Sequence, residues 1–243
     1  MLTTHIGAAI KEAAARAWVT DVVNEPFADH PGEAFPPGGV YKNTTWWPRL
    51  QEPLAVAFRA AADARAGHGL PGLGLFVNDY SLLTNDYKRA NLIRHVTSLR
   101  SAGVPIDGVG VQAHLFGRPS GASMLQALRE IRAVGVRVQV TENDVHCGDP
   151  CEGDAADSQA KVFGDLLTAC LATLPDADGG AGCEAHLTWG FTDKHSWLNK
   201  PGKVSNPLPF DANYQPKPAA LEMLAVLQHW AAGARDPTRP WAY

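Results

Sequence analysis

The stretch "VRVQVTENDVH" at residues 136–146 places β-branched residues at alternate positions and then changes abruptly to acid and amide side chains. Val136, Val138 and Val140 fall on one face of an extended chain, and Thr141 prolongs the same β-favouring chemistry. Glu142, Asn143 and Asp144 come immediately after. A solvated turn explains one such acidic ending. A second ending occurs at residues 18–27, "WVTDVVNEPF", where Val22 and Val23 run into Asn24 and Glu25. Two strands that each deliver a glutamate turn attention from loops to a site.

Working outward from these strands, helical and extended patterns alternate along the whole chain. Helices are expected at about 3–17, 50–65, 85–102, 121–133, 156–173 and 217–233. Strands are expected at 18–23, 72–77, 106–112, 136–141 and 183–191. A Pro/Gly-rich loop carrying Trp46 and Trp47 comes after the first strand, and Gly103, Pro105 and Gly135 punctuate helix ends. Strands that alternate with helices imply a parallel α/β sheet. No linker divides the chain, so residues 1–243 read as one domain. "GLPGLGLF" has glycines, but they precede a strand and do not open a helix, which argues against a doubly wound nucleotide binder.

Polar and aromatic residues gather where the strands end. Asn24 and Glu25 follow the first strand, Asn78, Asp79 and Tyr80 the second, and Gln112 and His114 the third. Glu142 and Asp144 follow the fourth, and Trp189, Asp193 and Trp197 the fifth. In a parallel barrel the βα loops converge at that end and carry the active site.

The chain has 243 residues with 45% hydrophobic side chains, enough to bury a sizeable core. Its net charge of −4 (21 basic, 25 acidic) carries no block of one sign, which speaks against nucleic acid or an anionic membrane as partner. No apolar run has the length of a membrane span. The opening "MLTTHIGAAIKEAAARAW" holds Lys11, Glu12 and Arg16 within its alanines and reads as an amphipathic helix, not a signal peptide. The cysteines, Cys147, Cys151, Cys170 and Cys183, form no paired CxxC set for zinc. "CGDPC" can close a small disulfide loop, and Cys170 can bridge to Cys183. Four unrelated thiols fit the spacing equally well.

Two glutamates facing one another suit glycoside hydrolysis, in which one protonates the departing oxygen and the other attacks or activates water. Carboxylates brought close together raise one pKa, so a neutral acid and an ionised partner coexist. Asn24 can donate to a sugar hydroxyl or a carboxylate, His114 and Asp144 can pair, and Trp189 and Trp197 offer flat faces to pyranose rings. For a lone histidine or tryptophan, core packing is the better reading. The combination favours a site.

Six segments, "DVVNEPF", "FVNDYSL", "IDGVGVQAHL", "VTENDV", "LTWGFTDKHSWL" and "PLPFDANYQPKPAALEML", resemble successive blocks of the family 10 glycoside hydrolases, the endo-1,4-β-xylanases, in the family's order. The resemblance implies a (β/α)8 TIM barrel, a retaining double displacement and no metal or organic cofactor. It implies Glu25 as general acid/base and Glu142 as nucleophile, supported by Asn24, His114 and Asp144. Asn78, Tyr80, Gln112, Trp189 and Trp197 would contact the substrate, xylan, and the family implies an extracellular location. Two local departures stand out: Asn143 occupies a usually apolar position, and Trp18 is displaced from its place before the aspartate. The larger departure is that about seventeen residues precede the first strand, where the family has three further βα units. The expectation is therefore an incomplete barrel lacking its first three βα units. Its open edges would expose apolar surface and favour self-association. A non-catalytic remnant that binds carbohydrate or a partner, and a retaining hydrolase of another β-1,4-glycan, are the rival readings.

Overall fold

The computed structural model describes residues 2–13, 17–43, 52–173 and 183–232. Among these residues, six α-helices and eight strands follow the alternation in the sequence. They are α1 (Leu2–Ala13), β1 (Val19–Asn24), β2 (Ala34–Phe35), β3 (Tyr41–Lys42), α2 (Pro53–Gly67), β4 (Gly74–Tyr80) and α3 (Asp86–Ser101). Then come β5 (Gly108–Gln112), β6 (His114–Leu115), α4 (Gly121–Arg132), β7 (Arg137–Val145), α5 (Gly153–Leu171), β8 (Cys183–Thr188) and α6 (Pro218–Ala231). Trp46 and Trp47 lie outside the described residues.

The main sheet is parallel throughout, in the order β1-β4-β5-β7-β8, and β6 prolongs β5 alongside the end of β7. Strands adjacent in space and nearly sequential in the chain, joined by helices, are the arrangement of a barrel wall. Among the described residues β1 pairs only with β4, and the outer edge of β8 pairs with no strand. Among the described residues the wall is thus an open arc. Trp18, Leu187 and Trp189, at the inner rims of those two edges, are each about half exposed (54%, 48% and 48%).

One face of each strand of the main sheet packs against the helices. Leu75 and Val77, Val109 and Val111, and Val138 and Val140 are buried with Leu54, Phe58, Leu92, Leu128 and Phe163 of the helices in a single apolar core. Burying each such side chain contributes about 2 kcal/mol, so the alternating valines of β7 fix which face turns inward. The N-caps of α3 and α4 are built from short polar side chains: Asn85 accepts from the Lys88 amide at 3.1 Å, and Ser120 from the Ser123 amide at 3.2 Å.

The other face lines the barrel interior. Gly108 and Gly110 of β5 lie opposite Phe76 and Asn78 of β4. A Cβ at Gly108 would come within 2.1 Å of the Phe76 ring, and one at Gly110 within 2.4 Å of Asn78 Oδ1. Glycine at these positions lets Asn78 lie across β5 and reach the next strand.

β4 and β7 run further at their carboxyl ends than the sequence pattern suggests, whereas β8 stops at Thr188, short of the expected 191. β7 continues through Glu142 and Asp144 to Val145, because β6 pairs with it there (His114 with Asp144, Leu115 with Val145). β4 likewise includes Asn78, Asp79 and Tyr80. The acids therefore sit within rigid strand ends. Both cysteine pairs are disulfides, Cys147–Cys151 and Cys170–Cys183, and the second ties α5 to β8. Asn143 is fully buried; its amide donates to Nε2 of His186 on β8 at 3.0 Å, while Asn143 Oδ1 and His186 Nδ1 find no partner among the described residues. Burial pushes the His186 imidazole down to about 4, so it is neutral.

Candidate active site

At the carboxyl ends of the strands, ten residues line a cleft of about 540 Å³, including Glu25, Tyr80, Gln112, His114, Glu142 and Trp197. A second cavity of about 460 Å³ adjoins it below and shares Asn24, Glu142 and Trp189. Every residue the sequence singled out for catalysis, its support or substrate contact lines one of the two cavities, except Asp144. That carboxylate lies fully buried behind His114.

Glu142 is caged. Asn78 Nδ2 donates to its Oε1 at 2.8 Å, and His114 Nε2 lies 3.1 Å from its Oε2. Thr141 Oγ1 donates to Asn78 Oδ1 at 2.8 Å, which fixes the amide so that its nitrogen faces the carboxylate. His114 Nδ1 meets Asp144 Oδ1 at 2.9 Å, and Trp197 Nε1 donates to Asp144 Oδ2 at 2.8 Å. Burial alone would push the imidazole down. The bonds to Asp144 and Glu142 outweigh it and hold the His114 pKa up at about 9. At neutral pH His114 is an imidazolium that donates from both nitrogens. The Trp197 ring stands edge-on to it with centroids 5.1 Å apart, so one buried carboxylate orients both the histidine and an aromatic wall.

Glu25 is held differently. It comes directly after β1 with a left-handed backbone (φ 55°), a conformation that costs a residue with a Cβ about 1–2 kcal/mol. Its amide donates to Asn78 O at 2.7 Å, which offsets part of that cost. Ser81, just after β4, shares the conformation with φ 60°. Gln112 Nε2 reaches Glu25 Oε1 at 3.2 Å and Asn24 Oδ1 at 3.0 Å. Asn24 Oδ1 also accepts from Asn78, leaving its amide group for the cavities it lines.

A register shift between Asp21 and Val23 makes Val22 an extra residue in β1. Such a bulge re-aims the side chains beyond it, and here both Asp21 and Asn24 line the lower cavity, which strict alternation would forbid. Desolvation, then the charge of Glu142, raises the Asp21 pKa to about 6.

Sequence reasoning missed Lys42. Its ammonium lies 4.0 Å from Glu25 Oε2 and 4.1 Å from the centre of the Tyr80 ring. It sits on a two-residue strand, too short for any periodicity to reveal. It also missed Phe116, which lines the cleft and is 62% exposed. Conversely, two strand-end acids turn away from the cleft. Asp79 accepts from the Phe27 amide at 3.0 Å and pairs with Lys88 at 2.7 Å, both side chains fully buried. Asp193 pairs with Lys217 at 2.9 Å and accepts from the Leu208 amide. Both brace loops beside the cleft.

The profile "Glycosyl hydrolase family 10" matches residues 1–226. The chain belongs to that family. It is 33% identical over 233 residues to endo-1,4-beta-xylanase 3 of Hypocrea jecorina, covering 94% of this chain and 56% of that enzyme. It is 32% identical to endo-1,4-beta-xylanase D of Talaromyces funiculosus, covering 93% and 52%. Native xylanase 10B of Thermotoga maritima superposes with a TM-score of 0.79 at 29% identity, covering 95% of this chain and 66% of that one. Xylanase 10B of Thermotoga petrophila RKU-1, in complex with xylobiose, gives a TM-score of 0.78 at 29% identity over 94% and 65%. The chain spans about half the length of the curated family 10 relatives it matches.

Proposed function

We propose that this chain forms the catalytic unit, or the part of one that carries both carboxylates, of a retaining endo-1,4-β-xylanase. Glu25 is the acid/base and Glu142 the nucleophile. The single observation that carries this reading is the asymmetry of the two carboxylates around one cleft. Glu142 is fixed by two donors, and Glu25 is accessible beside it.

In the first step Glu142 attacks the anomeric carbon, and the glycosidic bond breaks as Glu25 passes its proton to the departing oxygen. Glu142 loses its charge as the ester bond forms. In the second step water attacks the anomeric carbon, gives its proton to Glu25 and expels Glu142 as a carboxylate. The His114 imidazolium and the Asn78 amide already lie where that returning charge develops, which is the preorganisation that favours the step. Trp189 and Trp197 provide faces for sugar rings, Tyr80 and Gln112 line the cleft beside them, and Asn24 provides an amide for hydroxyls. Xylan is the substrate class by family, and three of the solved relatives are complexes with xylobiose or xylopentaose.

The test is to incubate the purified chain with a 2-fluoro xyloside bearing a good leaving group and measure its mass. A single covalent glycosyl adduct on the peptide containing Glu142 is expected. An adduct elsewhere, or hydrolysis of xylan with inversion at the anomeric carbon, would exclude the mechanism.

The open edges support one further reading about partners. With the outer edges of β1 and β8 unpaired among the described residues and Trp18 and Leu187 beside them, we infer that the chain associates with itself or with another chain through those edges. Sedimentation of the isolated chain should then show species larger than a monomer. A monodisperse monomer that binds no hydrophobic dye would exclude it.

A further inference from the structure

At the opposite end of the sheet from the cleft, a cavity of about 440 Å³ opens among the amino-terminal ends of β4, β5 and β7. Three arginines converge there, each from a different element: Arg65 from α2, Arg100 from α3 and Arg137 from β7. The rest of the lining is the turn Pro71, Gly72, Leu73 and Gly74, with Gly135 and one carboxylate, Asp107.

The carboxylates do not use up the guanidinium donors. Arg65 Nη1 donates to Asp107 Oδ2 at 2.6 Å and to Leu73 O at 2.9 Å, which leaves its Nε and Nη2. Arg137 spends Nε and Nη2 on Glu184, which leaves Nη1 against Gly74. Arg100 donates only to a neutral group, Val134 O at 2.7 Å, and meets no carboxylate among the described residues. Three cations set against Asp107 and Glu184 leave one positive charge, and it sits on Arg100.

The glycines make the approach possible. A Cβ at Gly74 would stand 2.4 Å from Arg137 Nη1, and one at Gly135 would stand 3.4 Å from Arg100 Nη1. Side chains there would fill the space into which the guanidinium groups reach. The arginines are held in place as well: Arg65 by two acceptors, and Arg137 by a bidentate carboxylate and the Phe76 ring 5.2 Å away. Pre-positioned planar forks of this kind are what oxyanion recognition requires.

We infer that this cavity is an anion site for a tetrahedral oxyanion of phosphate size, bound by Arg100 with the free N–H groups of Arg65 and Arg137. Donors arriving from three directions suit a tetrahedral ion better than a planar carboxylate. An occupant ties together the entries of three strands at the face of a barrel that serves stability, not chemistry. It should therefore raise the melting temperature without changing turnover.

The experiment is calorimetric titration of the full chain with inorganic phosphate at pH 7.5, with ionic strength held constant by sodium chloride. One phosphate per chain should bind saturably, and the melting temperature should climb by a few degrees as the site fills. Acetate at equal ionic strength should bind about tenfold more weakly. Arg100→Gln keeps a donor for Val134 O but loses the charge, and it should weaken phosphate about tenfold or more. If that variant does not fold, Arg100→Lys keeps the charge without the fork and should bind several-fold more weakly than the unaltered chain. Absence of saturable heat, equal binding of acetate, or full affinity in the arginine variants would overturn the assignment.

Discussion

At the end of β1, Glu25 stands on left-handed backbone with its side chain 40% exposed, met by one amide at 3.2 Å and an ammonium at 4.0 Å. At the end of β7, Glu142 lies inside the strand with its side chain 10% exposed, met by an amide at 2.8 Å and an imidazolium at 3.1 Å. The same residue type at equivalent strand ends is given two environments. A group that must gain and lose a proton in each cycle needs access and loose partners. A nucleophile needs a fixed direction and donors that receive its charge when the covalent bond breaks. The difference is the one expected if Glu25 is the acid/base and Glu142 the nucleophile, as proposed.

The largest expected effect comes from removing the caged carboxylate. Glu142→Gln keeps the volume and one acceptor, so the fold should persist, while turnover of xylan falls by about 10⁴-fold or more, as when a nucleophile is deleted. Glu25→Ala should cost less, about 10²–10⁴-fold. That loss should nearly vanish for an aryl xyloside whose leaving group needs no proton, and added azide should restore the second step. Steady-state kinetics on both substrates separates the two. If Glu142→Gln were rescued by the better leaving group and Glu25→Ala were not, the assignment of roles would be reversed.

A smaller effect comes from the cage itself. The folded His114 pKa of about 9 exceeds its ordinary value of 6.5. Folding therefore gains from its protonation. The gain is fully present below about pH 6.5 and is lost as pH rises through about 9, and it amounts to roughly 3 kcal/mol at most. Melting temperature should accordingly fall between pH 6.5 and 9 in the unaltered chain. His114→Asn should flatten that fall and lower stability at pH 6. An unchanged pH profile in the variant would show that the imidazolium contributes nothing.

How much of this the sequence discloses depends on how local the cause is. The valines at alternate positions of 136–140 fix the face of β7, and the polar strand ends mark the cleft, because period and position are properties of one segment. The length of β7 was not legible. It depends on His114 and Leu115 pairing beside it from another segment. The bulge at Val22 escapes for the same reason, being a mismatch in register with β4. Lys42 is invisible because its approach to Glu25 is made by the path of a loop through Pro and Gly residues. Asp79 shows the converse. Its strand-end position looks functional, yet fully buried Lys88 and the Phe27 amide claim it for structure.

The smallest effect tests whether the two strand ends are electrically linked. Asp21 lies in β1, in the same strand as the approach to Glu25, but it faces the lower cavity with Glu142. Its pKa stands at about 6 rather than 3.8, first because the cavity desolvates it and second because Glu142 repels its charge. A carboxyl whose folded pKa is raised makes folding less favourable once it ionises. Stability from this group is therefore present below about pH 3.8 and is lost as pH climbs through about 6. Asp21→Asn should then raise the melting temperature slightly at pH 7 and leave it unchanged at pH 3.5. The carboxyl carbon of Asp21, tracked by NMR, should titrate near 6 in the unaltered chain. In Glu142→Gln the midpoint should move down, but not all the way to 3.8, because the desolvation remains when the charge has gone. A midpoint unmoved by Glu142→Gln would mean that burial alone sets it and that the two ends act independently. A midpoint that dropped the whole distance would make Glu142 the larger cause and reverse the order of the two effects.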